Sequence, residues 1–456
     1  MLYRDAWFRA VAVLGTIAVA VSSVCTADDR ILLREQSQPG ETMSVTLDYS
    51  ARGDLQGPPQ GDTKPLLHKM SARAQFAFDE KVLPASGARG VQRRAVRYYT
   101  QSAVESTVDE KRTVIDLRQP IRLIVCELRD NRAFLFSPAG PLTSEEHGLL
   151  EADAAFDNIA IADLLPTTPV ATGQTWKPTD AAVRATFNLS QLSKNEITAK
   201  LDQVTAATAR IALSGNIAGI TSGANTQQSV TGNLIFDRQR NKISAVEVTL
   251  TEERGASPIA WGLSAQAKFV LRRTFAASAD RLKDDALDQI PLEANDVTTQ
   301  LVFAQPDGQY RFYYPRGWHI GSHTPRSAVM TMLDNGKFVS ECHVLAAKTV
   351  AAGTHTSPEE FRNQVQTALG NKFQQLLQEG ELPAPKGQWM YRLAVAGTSN
   401  GKPSVWYYHL AASPQGNQVV FIFRMHPDQI DQFGALDVAM VSSIEFSAPR
   451  TVSNSK

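Results

Sequence analysis

The chain has 456 residues, 43% of them hydrophobic and 20% charged, with 46 Lys plus Arg against 46 Asp plus Glu. That is enough apolar material for cores in two or three domains. The zero net charge excludes the broadly basic surface that nucleic acid or an anionic membrane selects, and three cysteines are too few for a disulfide-stapled scaffold.

Arg4 and Arg9 form a positive start, Ala10 to Val21 an apolar run, and Cys25-Thr26-Ala27 a small-residue cleavage site. Residues 1–27 therefore read as a secretory signal peptide. The run is shorter than the ~20 apolar residues that a membrane helix needs. The alternatives are an uncleaved anchor and lipidation at Cys25, although Ser22-Ser23-Val24 lack the residues that usually precede a lipidated cysteine. The expectation is an exported chain, periplasmic or extracellular, with no transmembrane segment after the signal. Cys126 and Cys342 each lie in an apolar strand-like run and read as two separately buried thiols rather than one interdomain disulfide.

Residues 28–275 read as an antiparallel β domain, a half-barrel or an open meander. In Val96 to Val108 the even positions Val96, Tyr98, Val104 and Val108 carry large apolar side chains, with Arg97, Gln101 and Glu105 opposite them. Period two with one polar face predicts a sheet covered on one side. The pattern returns in 197–201, 230–234, 246–250 and 261–271, with Gly, Asn and Ser turns between, as in a meander of hairpins. Thr143-Ser-Glu-Glu146 is a capping box that predicts a helix through Phe156. Leu164 to Trp176, with two prolines and a glycine, predicts a rigid loop ending on an aromatic anchor.

Residues 276–298 are charged and lack apolar periodicity, so they predict a linker with room for one helical turn. Residues 299–448 predict an α+β sandwich with an antiparallel sheet, and 449–456 a polar, disordered tail. Strands are expected at 310–314, 329–333, 341–346, 390–396, 405–411 and 418–425. Ser357-Pro-Glu-Glu360 opens a helix that Phe361, Val365, Leu369, Phe373 and Leu376 carry on to Gly380. A last helix carries Ile430, Phe433, Leu436 and Met440.

The residues Gly308-x-Tyr-x-Phe312, Tyr314-Pro-x-Gly-Trp318, the Trp406-Tyr-Tyr strand and Ser443-Ile-Glu-Phe446 resemble the PsbP-like family of α/β/α sandwiches, whose relatives include exported DcrB-like proteins. The resemblance covers about a third of the chain. It implies a fold and no catalytic set. The β domain resembles, in architecture only, the LolA/LppX-like half-barrels, which implies an apolar cavity able to hold lipid.

No motif specifies a reaction. Gly397-Thr-Ser-Asn-Gly401 matches the spacing of a nucleophile elbow, but Asn400-Gly401 is a hairpin signal and a strand-like run follows where a helix is required. His319, His323 and His343 are the weak metal candidates, without the spacing of a zinc site. No Walker A or dinucleotide motif occurs, so no cofactor is expected. Glu145-Glu146 and Glu252-Glu253 read as solvated surface, and Arg93-Arg94 and Arg272-Arg273 are too sparse for a nucleic-acid stripe. Tyr310, Phe312, Tyr314, Trp318, Trp406 and Tyr408 form either a face that stacks on a ring or grips a peptide, or sheet-core packing. The chain thus reads as a non-catalytic binding or scaffolding protein for a protein or an apolar small molecule. A lipid carrier is the first alternative, with Tyr98, Val246, Val248 and Leu250 lining its cavity, and a serine or metal-dependent hydrolase is the second.

Overall fold

The computed structural model describes residues 30–57, 66–84, 91–129, 132–154, 161–257, 260–275, 280–385 and 387–447. The expected signal peptide and polar tail lie outside the described residues.

The first region is one antiparallel sheet built from β1 (Thr42–Gln56), β2 (Leu67–Val82), β3 (Val91–Val108), β4 (Lys111–Ile115), β5 (Leu123–Arg129) and β6 (Arg132–Phe136) on one side. A two-residue strand, β7 (Leu142–Thr143), leads out of it, and α1 (Ser144–Ala154) follows. The chain returns through β8 (Thr175–Trp176) and α2 (Asp180–Thr186). It then completes the sheet with β9 (Gln191–Asn195), β10 (Thr198–Val204), β11 (Thr208–Thr221), β12 (Ala224–Asp237), β13 (Lys242–Arg254) and β14 (Gly262–Thr274). The spatial order is β6-β5-β3-β2-β1-β14-β13-β12-β11-β10-β8, with β4 on β3 and β9 on β11. Long hairpins thus flank a central β1–β14 pair of distant chain segments, and the sheet does not close into a barrel.

The expected capping box forms as a reciprocal pair: Glu146 N donates to Thr143 Oγ1 at 3.2 Å and Thr143 N donates to Glu146 Oε2 at 2.9 Å. The Trp176 anchor also forms, its indole N–H donating to Leu164 O at 2.9 Å. Helix α2 was not evident from apolar spacing. It is short and starts at Thr179, whose hydroxyl accepts from Ala182 N.

The single covered face expected for β3 is corrected by the structure. Arg97 is fully buried and its Nε donates to Glu80 Oε2 at 2.7 Å, because both faces of the sheet are covered at this end. Arg97 itself lies over the Phe78 ring on the main-core face, and the opposite, Val96 face is covered by the segment expected as a linker. Its predicted helical turn is α3 (Asp284–Leu287), and Leu282 and Leu287 bury against Val96, Val125 and Phe136. Lys81 Nζ donates to Leu282 O at 2.9 Å and Arg94 Nη2 to Leu292 O at 2.7 Å, which ties the segment's backbone to the sheet.

The second region holds β15 (Leu301–Ala304), β16 (Tyr310–Tyr314), β17 (Trp318–Thr324), β18 (Ser327–Asp334) and β19 (Lys337–Ala346). After these come α4 (Pro358–Leu369), β20 (Phe373–Leu382), β21 (Trp389–Ser399), β22 (Lys402–Ala412) and β23 (Gln418–Met425). Helices α5 (Ile430–Phe433) and α6 (Leu436–Ser442) and β24 (Glu445–Phe446) close it. The sheet β17-β18-β19-β23-β22-β21-β20 is antiparallel throughout. Helix α4 packs Phe361, Val365 and Leu369 on one face against Leu393, Trp406, Tyr408 and Leu410, and α5, α6, β15 and β16 cover the other.

Two helix expectations are corrected here. The first helix stops at Leu369, where Gly370 takes φ 52°, so Phe373 and Leu376 belong to β20 and Gly380 lies within that strand. The terminal helix is two short helices divided at Gly434, with φ 57°.

The two regions share one hydrophobic core. Strand β7 adds in parallel to β15, pairing Leu142 with Leu301. Arg118 holds the buried Glu146 carboxylate through two bonds of 2.7 and 2.8 Å, so Glu146 is not the solvated residue its sequence context suggested. The guanidinium groups of Arg129 and Arg316 each stack on Phe134, at 4.1 and 4.2 Å.

Candidate functional site

The aromatic set of the C-terminal region is buried. Tyr310, Phe312, Tyr314 and Trp318 are 0–2% exposed, and Trp406 and Tyr408 are 5% and 6% exposed. Trp318 packs edge-on against Phe423 and Phe433, and Phe312 against Phe421. These rings fill the sandwich interior and offer no open stacking face.

The three histidines do not converge. His343 Nε2 lies 2.7 Å from Glu341 Oε1, His323 meets the edge of Phe303, and His319 is half-buried near Glu151 and His147. Among the described residues, no group of three or more His, Cys, Asp or Glu is placed to hold a metal ion. Ser399 ends β21 in a two-residue hairpin whose Asn400 and Gly401 take φ 51° and 73°, and its Oγ accepts from Arg424 Nη1 at 3.1 Å. Strand β22 follows, so the backbone there is a hairpin and no helix N-terminus faces the serine. Cys126 and Cys342 are both buried, and neither is in a disulfide.

A buried polar triad does occur in the sandwich. Asp437 Oδ2 accepts from Arg392 Nε at 2.8 Å and lies 2.9 Å from His409 Nε2, with Asp437 and His409 both at 0% exposure. Burial lowers the His409 value, while His409 and Arg392 hold the Asp437 carboxyl below the usual range despite its burial. This pins α6 to the sheet and has no opening to solvent for a substrate.

The open space lies in the first region. Along the concave face one end is filled by Leu47, Phe76, Phe78, Tyr99, Val246, Val248 and Leu271, all at most 3% exposed. At the other end the same strands carry small residues. Ala51 sits opposite Ala267 on β14 and opposite Ala72 on β2, and Gly53 sits opposite Ala265. Strand approach is so close there that a Cβ on Gly53 would lie 2.1 Å from Ser264 O. This row of small side chains leaves a cavity of about 180 Å³.

Tyr49, Met70, Leu250, Leu263 and Phe269 form its apolar wall, and Phe187 at the end of α2 covers it. Gln228, Glu252, Asn188 and Thr221 bring polarity to it. Glu252 faces inward and is 15% exposed, so it is not the surface residue expected from the adjacent Glu253. Gln228 Nε2 and Arg254 Nη1 each stand 3.4 Å from its carboxylate. Burial raises the Glu252 carboxyl above its ordinary range, and burial pushes the Tyr49 phenol up to about 12. Of the four positions expected to line a cavity, Leu250 does. Val246 and Val248 belong to the filled end, and Tyr98 faces outward under Arg281.

A wider groove of about 1,020 Å³ opens elsewhere on this region, with Leu32, Pro39, Met43, Leu83 and Leu165 on its walls. Ion pairs line it, Arg93 with Asp163, and Arg94 with Glu127 and Glu293. Among the described residues, no helix is long and apolar enough to cross a membrane.

Known proteins resemble parts of this arrangement. The PsbP protein of Synechocystis, CyanoP, overlaps 33% of this chain and 93% of its own, at 16% identity and a TM-score of 0.27. The Ran-binding protein Mog1p of Saccharomyces cerevisiae overlaps 32% of this chain and 95% of its own, at 14% identity and a TM-score of 0.26. Lipovitellin overlaps 54% of this chain, at 9% identity and a TM-score of 0.31, and the overlap spans only 26% of lipovitellin. No family model and no curated protein matches the chain. These are partial likenesses of shape, and they assign neither a family nor an activity.

Proposed function

We propose that this is an exported binding protein that carries out no chemistry and holds one small apolar ligand in its β domain. The cavity walled by Ala51, Leu250, Ala265, Ala267 and Phe269 supports this reading, because natural cores close such spaces unless something occupies them. Its size selects among ligands. A volume of about 180 Å³ is close to the roughly 150 Å³ that accommodates a benzene-sized molecule. It is below the ~300 Å³ at which drug-sized sites begin. A single ring or a short chain fits and a two-chain lipid does not, which narrows the carrier alternative. The wider groove supports a second reading, a site for a protein segment, through its exposed Leu32 and its volume of about 1,020 Å³.

Calorimetric titration of the mature chain with toluene tests the cavity. Saturable binding that Ala267→Leu abolishes is the expected result. Absence of saturable binding, or binding that the substitution leaves intact, contradicts the proposal.

A further inference from the structure

We infer that the ligand of this cavity has an uncharged head that both donates and accepts hydrogen bonds, a hydroxyl or a primary amide on an apolar body. The inference rests on the cavity being the binding site.

Gln228 is 5% exposed on β12, directly opposite Glu252 on β13. Its amide N–H donates towards Glu252, while its Oε1 is buried with no hydrogen-bond partner. Thr221 Oγ1, at the end of β11, is also buried without a partner and lines the same cavity. Buried polar atoms in folded proteins are nearly always satisfied, so two orphans lining a mostly apolar space mark where a ligand's polar end belongs. The amide oxygen needs a donor, and the hydroxyl rotates to serve either role.

Charge narrows the class further. Glu252 is the carboxylate on this wall, and Arg254 at 3.4 Å already balances it. An ammonium or a carboxylate on the ligand would add an uncompensated charge to a buried, balanced pair. A neutral head adds none. Ala51, Leu250, Ala265 and Phe269 then take the apolar body. The cavity is also large enough for several waters, at ~30 Å³ each, and water is the competing occupant.

Four probes of similar size separate these cases on the mature full chain: toluene, benzyl alcohol, benzylamine and benzoate. Benzyl alcohol is expected to bind about tenfold tighter than toluene, and the two ions about tenfold weaker than the alcohol. Gln228→Leu should bring benzyl alcohol down to the toluene level while toluene stays within about twofold, which also shows that the variant folds. Thr221→Val should cost the alcohol alone a smaller factor. Equal binding of toluene and benzyl alcohol, or tightest binding of an ion, overturns the inference and leaves the cavity as an apolar site. Failure of all four probes overturns both the inference and the proposed function.

Discussion

The interior of the C-terminal sandwich and the concave face of the β domain are both walled by antiparallel strands with alternating apolar positions, yet one is solid and the other is hollow at one end. In the sandwich, Phe312, Trp318, Phe421, Phe423 and Phe433 meet edge to face or tilted at centroid separations of 5.2–6.3 Å. In the β domain, Ala51, Gly53, Ala72, Ala265 and Ala267 align across three strands. Aromatic density therefore marks the packed core, and alignment of small residues marks the binding candidate.

That comparison breaks most sharply at a sandwich ring. Phe312→Ala should destabilise the chain by about 3–5 kcal/mol in chemical denaturation, as for other buried aromatics. A loss below about 1 kcal/mol would mean that the sandwich is not the close-packed partner of the pair. The buried triad gives a second large effect. Asp437→Ala leaves Arg392 and His409 without their shared acceptor and should cost about 3–5 kcal/mol.

Overpacking sharpens the contrast. Ala394→Leu pushes three extra carbons into the filled sandwich and should cost about 1–3 kcal/mol. Ala267→Leu makes the same change beside the cavity and should be neutral or stabilising, within about 1 kcal/mol. Equal penalties in denaturant melts would erase the difference between the two regions.

A further test lies in pH. His147, on α1 at the junction of the regions, is held down from 6.5 to about 3, mainly by burial and also by Arg316. Between those values the folded protein keeps it neutral while the unfolded chain protonates it. Unfolded chains then bind more protons, so stability falls as pH drops below 6.5. His319 and His409 are lowered as well and act in the same direction. Glu252 has the opposite sign: its raised value means that stability is lost as pH rises through it. Glu252→Gln should therefore remove that loss between about pH 4 and neutral. His147→Gln should flatten the acid limb. Thermal melts across the pH range read both.

Much of this was legible locally. The strand over Val96 to Val108, the Thr143–Glu146 capping box, the Ser357 helix start and the Asn400-Gly401 hairpin depend on neighbours within a few residues, and each forms as its residues dictate. What failed was non-local. Phe373 and Leu376 continue the helical spacing of α4, but Gly370 ends the helix and pairing with β21 converts the remainder to strand. Arg97 looked solvated because nothing near it in sequence reveals Glu80 beside it or the Phe78 ring beneath its guanidinium. The cavity was half visible: Ala51-x-Gly53, Ala72-x-Ala74 and Ala265-x-Ala267 each show small residues at period two. Only the register of β1 between β2 and β14 brings them together.

Native mass spectrometry of the full chain and of its Ala267→Leu variant, purified side by side, reads the occupant of the cavity itself. The account predicts a small-molecule-sized mass excess on the wild type that the variant lacks. A bare wild-type chain, or a lipid-sized mass carried equally by both, would contradict it.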